Sequence, residues 1–171
     1  MKNWIISLIF FVLFSSIPVF GQPCLPEGIS FNTQAEVDNF TQNYPGCTII
    51  QGFVWIQDAQ ANYLDSLINI TKIQGNLTIN ESNSLQSIAG LQNLITIDGN
   101  VKVEENVFMY DVDGFSSLQS VGGHFRIEDV GNLLQVSGLQ SLTTVGGNFI
   151  LNGNSNLINL DGLSILTTIG G

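Results

Sequence analysis

The chain has few cations. Of 171 residues only four are Lys or Arg and one is His, against fourteen Asp or Glu. An acidic surface repels phosphate backbones, so nucleic acid is excluded as a natural partner. Cysteine is equally sparse: Cys24 and Cys47 are the only two. With the one histidine, His124, far along the chain, they cannot assemble a zinc site of the usual four ligands. A disulfide between them is the default reading for an exported chain. Charged residues make up only 11% of the sequence, and Ile, Leu and Val are abundant, which excludes disorder.

Apolar runs are also absent, with one exception at the start. Lys2 precedes the apolar stretch Trp4–Phe14, Ser15, Ser16 and Pro18 break it, and Gly21 offers a small residue before Gln22. This reads as a secretory signal peptide over residues 1–21. The rival reading is an uncleaved anchor, but the apolar core falls short of the roughly 20 residues that a spanning helix needs. Without residues 1–21, three basic residues stand against fourteen acidic ones, a formal charge of −11. The mature chain has no segment suited to membrane insertion.

What the sequence does have is a beat. Gly52, Gly75, Gly99, Gly123, Gly147 and Gly171 follow one another in steps of 23, 24, 24, 24 and 24 residues, each two places after an Ile or Val. Such a period predicts a solenoid whose coils stack on their neighbours. After each glycine, pairs such as Leu77/Ile79, Val101/Val103 and Phe125/Ile127 alternate with polar residues, the pattern of a short strand with one face inward. Further apolar sites recur every three residues, as in Leu85, Ile88, Leu91, Leu94 and Ile97. Mid-coil glycines and abundant Ser, Thr and Asn argue against an α-helix there and for a chain that turns after each extended piece. Glycines at those corners imply either positive φ or close backbone approach. The first coil is one residue short, a deficit expected in an Asp58–Asn62 loop.

Before the first coil, Thr33-Gln34-Ala35-Glu36 reads as a capping box, and Val37, Phe40 and Tyr44 share one face at helical spacing. A short helix at about 33–43 is expected. It would lie over the open end of the core in a segment 22–51, ahead of the coils in 52–171. The chain stops at Gly170-Gly171 where a new strand is due. The sequence is therefore read as a fragment truncated within the solenoid, with end-to-end contact through the uncapped last coil as one consequence.

Cys24, the amphipathic helix, Tyr44-Pro45-Gly46-Cys47-Thr48, Ile50-Gln51-Gly52 and repeated units such as Leu67 to Ile79 together resemble the receptor L domain. This is the leucine-rich-repeat-like module of the epidermal growth factor and insulin receptor ectodomains. The resemblance implies a mainly β, right-handed, single-stranded β-helix-like solenoid of about 24-residue coils with a disulfide-tied N-terminal capping helix. It also implies a secreted or cell-surface module. In the receptors such domains bind polypeptide ligands, but the coils here are more regular than the receptors', so the fold carries over while the partner and the ligand-contact residues do not.

Enzyme chemistry finds little support. His124 is the only histidine for a Ser-His-Asp arrangement, and the pairs Glu104/Glu105 and Glu128/Asp129 lack any feature that raises a carboxyl pKa. Asp111-Val112-Asp113-Gly114 and Asp98-Gly99-Asn100 carry oxygen ligands in turns but match no calcium loop. Neither a cofactor nor a metal is expected. The remaining candidate is the outer face of the strands, where Trp55, Thr78, Lys102, Arg126 and Ile150 form one row, flanked by His124 on one side and by Glu104 and Glu128 on the other. An exposed Trp and Arg on a rigid sheet are residue types that anchor interfaces. The opposing reading is a salt-bridged ladder, with Lys102 and Arg126 facing Glu104 and Glu128 across coils. The functional expectation is a non-catalytic recognition or adhesion module for a protein or glycan partner, with a passive structural spacer of a longer surface protein as the alternative and a polysaccharide-active β-helix enzyme as the third reading.

Overall fold

The computed structural model describes residues 21–171, so the expected signal peptide lies almost wholly outside the described residues. Thirteen strands follow one another: β1 (Gln22–Cys24), β2 (Ile29–Thr33), β3 (Cys47–Ile50), β4 (Val54–Gln60), β5 (Lys72–Ile73), β6 (Leu77–Asn80), β7 (Thr96–Ile97), β8 (Val101–Glu104), β9 (Ser120–Val121), β10 (Phe125–Glu128), β11 (Thr144–Val145), β12 (Phe149–Asn152) and β13 (Thr168–Ile169). Odd-numbered strands form one parallel sheet and even-numbered strands another, each in chain order. The protein is therefore mainly β, with two parallel sheets and few helices. In the even sheet Val54 pairs with Leu77, Leu77 with Val101, Val101 with Phe125 and Phe125 with Phe149. The glycine beat thus becomes a strand register. The alternation in the sequence foretold the even sheet; the odd one, whose strands are mostly two residues long, carries too little alternation to be read.

The three-residue spacing has a plain cause. The Leu85 N–H donates to Ser82 O, Leu91 to Ile88 O and Leu94 to Leu91 O, at 3.0, 2.9 and 2.9 Å. These are successive i→i−3 turns, which bring every third side chain to the same side. Five of them are single 3₁₀ turns, at Asp65–Leu67, Ala89–Leu91, Asp113–Phe115, Ser137–Leu139 and Asp161–Leu163. All seven apolar positions of the second coil, Leu77 to Ile97, are at most 1% exposed, and so are their counterparts from Val101 to Val145 in the next two coils. In the coil that starts at Phe149 the cover is thinner: Leu160 and Ile169 are 54% and 51% exposed.

Close approach, not positive φ, explains the mid-coil glycines. A Cβ at Gly90, Gly114 or Gly138 would run into the carbonyl oxygen of Leu64, Ile88 or Val112 in the preceding coil. Positive φ falls instead on Glu81, Glu105 and Asp129, at 52, 54 and 54°, at the corner after each even strand; in the next coil that place is Gly153 at 68°. The residue after this corner is polar in three of four coils, buried at Ser82 and Asn106 and half-buried at Asn154, with Val130 between the two asparagines. Asn106 Nδ2 donates to Ile79 O and Glu104 O, both at 2.9 Å, while its Oδ1 accepts the Ser82 N–H at 3.1 Å. Each amide side chain of this kind ties one coil to its neighbour and leaves no buried donor idle.

At the N-terminus, Thr33 and Glu36 close the expected capping box. The single helix expected at 33–43 is two pieces, α1 (Gln34–Asp38) and α2 (Phe40–Asn43), separated at Asn39. Val37 and Phe40 are both buried in the core, with Phe31 edge-on to Phe40 at 5.9 Å. Gly46, at φ 78°, follows Pro45 and turns the chain into β3. The Cys24–Cys47 disulfide links β1 to β3. The first coil's missing residue falls where expected, between Gln57, which pairs with Asn80, 23 places on, and Tyr63, which bridges Ser87, 24 places on; the segment is not a loop throughout, because β4 runs on to Gln60, which pairs with Thr33 of β2.

Candidate binding face

Register in the even sheet brings the sequence-selected row together. Trp55 pairs with Thr78, Thr78 with Lys102, Lys102 with Arg126 and Arg126 with Ile150. Their side chains alternate with the buried Val54/Ile56 type of position, so all point away from the core. Trp55 is 42% exposed and Phe53 is 40% exposed. The two rings meet edge-on, centroids 6.4 Å apart at 81°. Trp55 Nε1–H donates to Asn80 Oδ1 at 3.2 Å, which fixes the indole. Asn80 belongs to the row read as outward from the sequence, yet it is only 8% exposed; the indole covers it. An N-glycosylation sequon begins at Asn80, whose Oδ1 accepts from the indole and whose Nδ2 donates to Glu81 Oε1 at 3.4 Å.

Two grooves open on this face. One, of 410 Å³, is bounded by Phe53, Trp55, Asn76, Thr78 and Lys102. The other, of 270 Å³, lies among Asn100, Lys102, His124 and Arg126. Lys102 borders both.

The charges on the face pair within strands, not across coils as the opposing reading expected. Lys102 bonds Glu104 of its own strand, and Arg126 Nη1 lies 3.7 Å from Glu128 Oε2 of its own strand. Side chains two apart on a strand share a face, so the nearest carboxylate is the intrastrand one. Register sets Lys102 opposite Arg126 and Glu104 opposite Glu128, which would repel if each were not neutralised along its strand. An ion pair across coils does occur on the other side, Lys72 Nζ to Asp98 Oδ2 at 2.9 Å.

His124 is part of a column of side chains that bind coil to coil. Asn76 Oδ1 accepts the Asn100 N–H at 2.8 Å, Asn100 Oδ1 accepts the His124 N–H at 2.7 Å, and His124 Nδ1 accepts the Asn148 N–H at 2.9 Å. Imidazole here does an asparagine's job, which places the neutral ring's hydrogen on Nε2. Among the described residues His124 bonds no carboxylate or hydroxyl. Asp98 is held by Lys72, and Asp111 Oδ1 accepts the Asp113 N–H at 3.1 Å. Partial burial, and then the neighbouring Asp111 charge, raise the Asp113 carboxyl above the ordinary value of 3.8. Among the described residues no three His, Cys, Asp or Glu side chains converge as metal ligands. No described helix is long and apolar enough to cross a membrane.

Comparison with protein families gives one match: the receptor L domain, over residues 46–118. The matched stretch holds β3 to β8 and the first three 3₁₀ turns and is similar to the receptor L domain; residues 119–171 continue the same register beyond it. Receptor L domains are extracellular or cell-surface modules that bind protein ligands without catalysis. No curated protein and no solved structure matches the chain.

Proposed function

We propose that this chain is an exported, non-catalytic recognition module that binds a polypeptide partner across the outer face of the even sheet. The Phe53–Trp55 pair is the anchor, and Thr78, Lys102, Arg126 and Ile150 extend the contact along the sheet. The observation that carries this is the pair itself: two large rings are two-fifths exposed, and one is locked by a hydrogen bond. Rings held rigid in the free state lose little entropy on binding. The receptor L domain match favours a protein over a glycan. Export through residues 1–21 and a right-handed winding of about 24 residues per coil belong to the same reading.

Replacing Trp55 and Arg126 together by Ala tests it. The double variant keeps its far-ultraviolet circular dichroism and loses most binding to intact cells or matrix. A folded double variant that binds as well as the parent removes this face as the site. The passive spacer is the second reading, favoured by the pairing of Lys102 and Arg126 with their own strands' carboxylates; equal and negligible binding by both forms decides for it.

A further inference from the structure

A second outward surface lies between the even strands and the 3₁₀ turns. Val107, Phe108, Tyr110 and Leu134 are 46, 49, 50 and 47% exposed. All four sit in coils flanked on both sides by others, so their exposure is not an end effect. The Leu134 N–H donates to Tyr110 O at 3.2 Å and the Ile158 N–H to Leu134 O at 3.1 Å. These bonds stack one apolar side chain per coil, at a pitch of about 4.8 Å.

Phe108 marks this surface as more than chance. In the two following coils its place is taken by Asn132 and Asn156, whose Nδ2 groups donate to Val107 O and Gly131 O at 2.5 and 2.7 Å. Phenylalanine can make no such bond. Here the coil gives up a tether that the next two coils keep and leaves a ring half-exposed instead.

Charge says what fits there. Glu105, Asp111, Asp113 and Asp129 adjoin the same segments in the chain. Among the described residues none of them pairs with a Lys or Arg, since the three available bases are engaged with Asp98, Glu104 and Glu128. Partial burial raises the Asp113 carboxyl most, and the nearby Asp111 charge adds to it. A second copy of the chain would bring the same acids and repel.

We infer that the strip from Val107 through Phe108 and Tyr110 to Leu134 docks a cationic polypeptide segment in which Lys or Arg alternates with apolar side chains. Apolar side chains of that segment lie along the strip, and its cations reach the flanking carboxylates. This surface is distinct from the Trp55 face and does not depend on it.

The probe is a synthetic peptide of alternating lysine and leucine, with a glutamate–leucine peptide and polylysine as comparators, read by fluorescence anisotropy. Phe108→Asn installs the residue that the sister coils carry, so it keeps the fold. Phe108→Asn and Leu134→Gln each weaken lysine–leucine peptide binding by about tenfold. Ile95→Asn, an exposed site on another side, leaves it unchanged. Rising salt weakens binding, and the glutamate–leucine peptide does not bind. Variants that bind like the parent, or polylysine binding as tightly as the lysine–leucine peptide, overturn the inference. So does a dimer in sedimentation that Phe108→Asn dissolves, which would make the occupant a second copy.

Discussion

Two glycines with the same formula do opposite things. Gly114 stands where a Cβ would meet Ile88 O, while a Cβ at Gly131 has nothing within 4 Å. Gly114→Ala therefore forces neighbouring coils apart and costs about 1–3 kcal/mol. Gly131→Ala is neutral or stabilises by up to about 1 kcal/mol, through the unfolded chain's lost freedom. Urea denaturation of the two variants checks the contrast. Asp113 carries a pH effect of definite sign. Its folded-state pKa is raised, so the folded protein holds that proton more tightly than the unfolded chain. Stability from this group rises as pH falls through the raised value and is lost as pH climbs above 3.8 toward it. Asp113→Asn removes the dependence, and melting curves across the acid range should show the variant slightly above the parent at neutral pH and level with it in strong acid.

At the scale of elements, legibility followed hydrogen-bond range. Strands such as Phe125–Glu128 could be read because alternation over four residues is visible to the eye and each inward residue meets one common core. The 3₁₀ turns showed only as a three-residue beat, and the odd strands not at all, since two residues cannot show a period. Helix breakage at Asn39 was hidden for a different reason: the capping box lies before Asn39 and the apolar spacing runs across it, so neither marks the break. On the binding face, the row from Trp55 to Ile150 was legible from register alone. The Asn80 bond to Trp55, the intrastrand ion pairs and the exposed strip at Phe108 needed coordinates, because each depends on which neighbour is nearest in space. The disulfide joins the first two strands of the odd sheet, β1 and β3. Replacing Cys24 and Cys47 by Ser costs about 3 kcal/mol in the chain-entropy account of a loop this long, with separation 23. Thermal melting with and without reductant measures it; a parent indifferent to reductant would contradict the assignment.

For the whole molecule, the fastenings between the described coils join one position to the same or nearly the same position in a neighbouring coil, the Asn100 N–H to Asn76 Oδ1 in the coil before and the Val101 N–H to His124 O in the coil after. The Asn76–Asn100–His124–Asn148 column and the glycine-to-carbonyl contacts at the 3₁₀ turns both obey this. Stability is then close to a sum over neighbouring pairs. A further consequence concerns ancestry. Inserting one residue in a middle coil would misalign all of these fastenings at that step, whereas copying an entire coil reproduces every one. A rod of this kind lengthens or shortens in whole units, and single-residue changes survive only where an element can absorb them, as the long strand Val54–Gln60 does beside the shortest step.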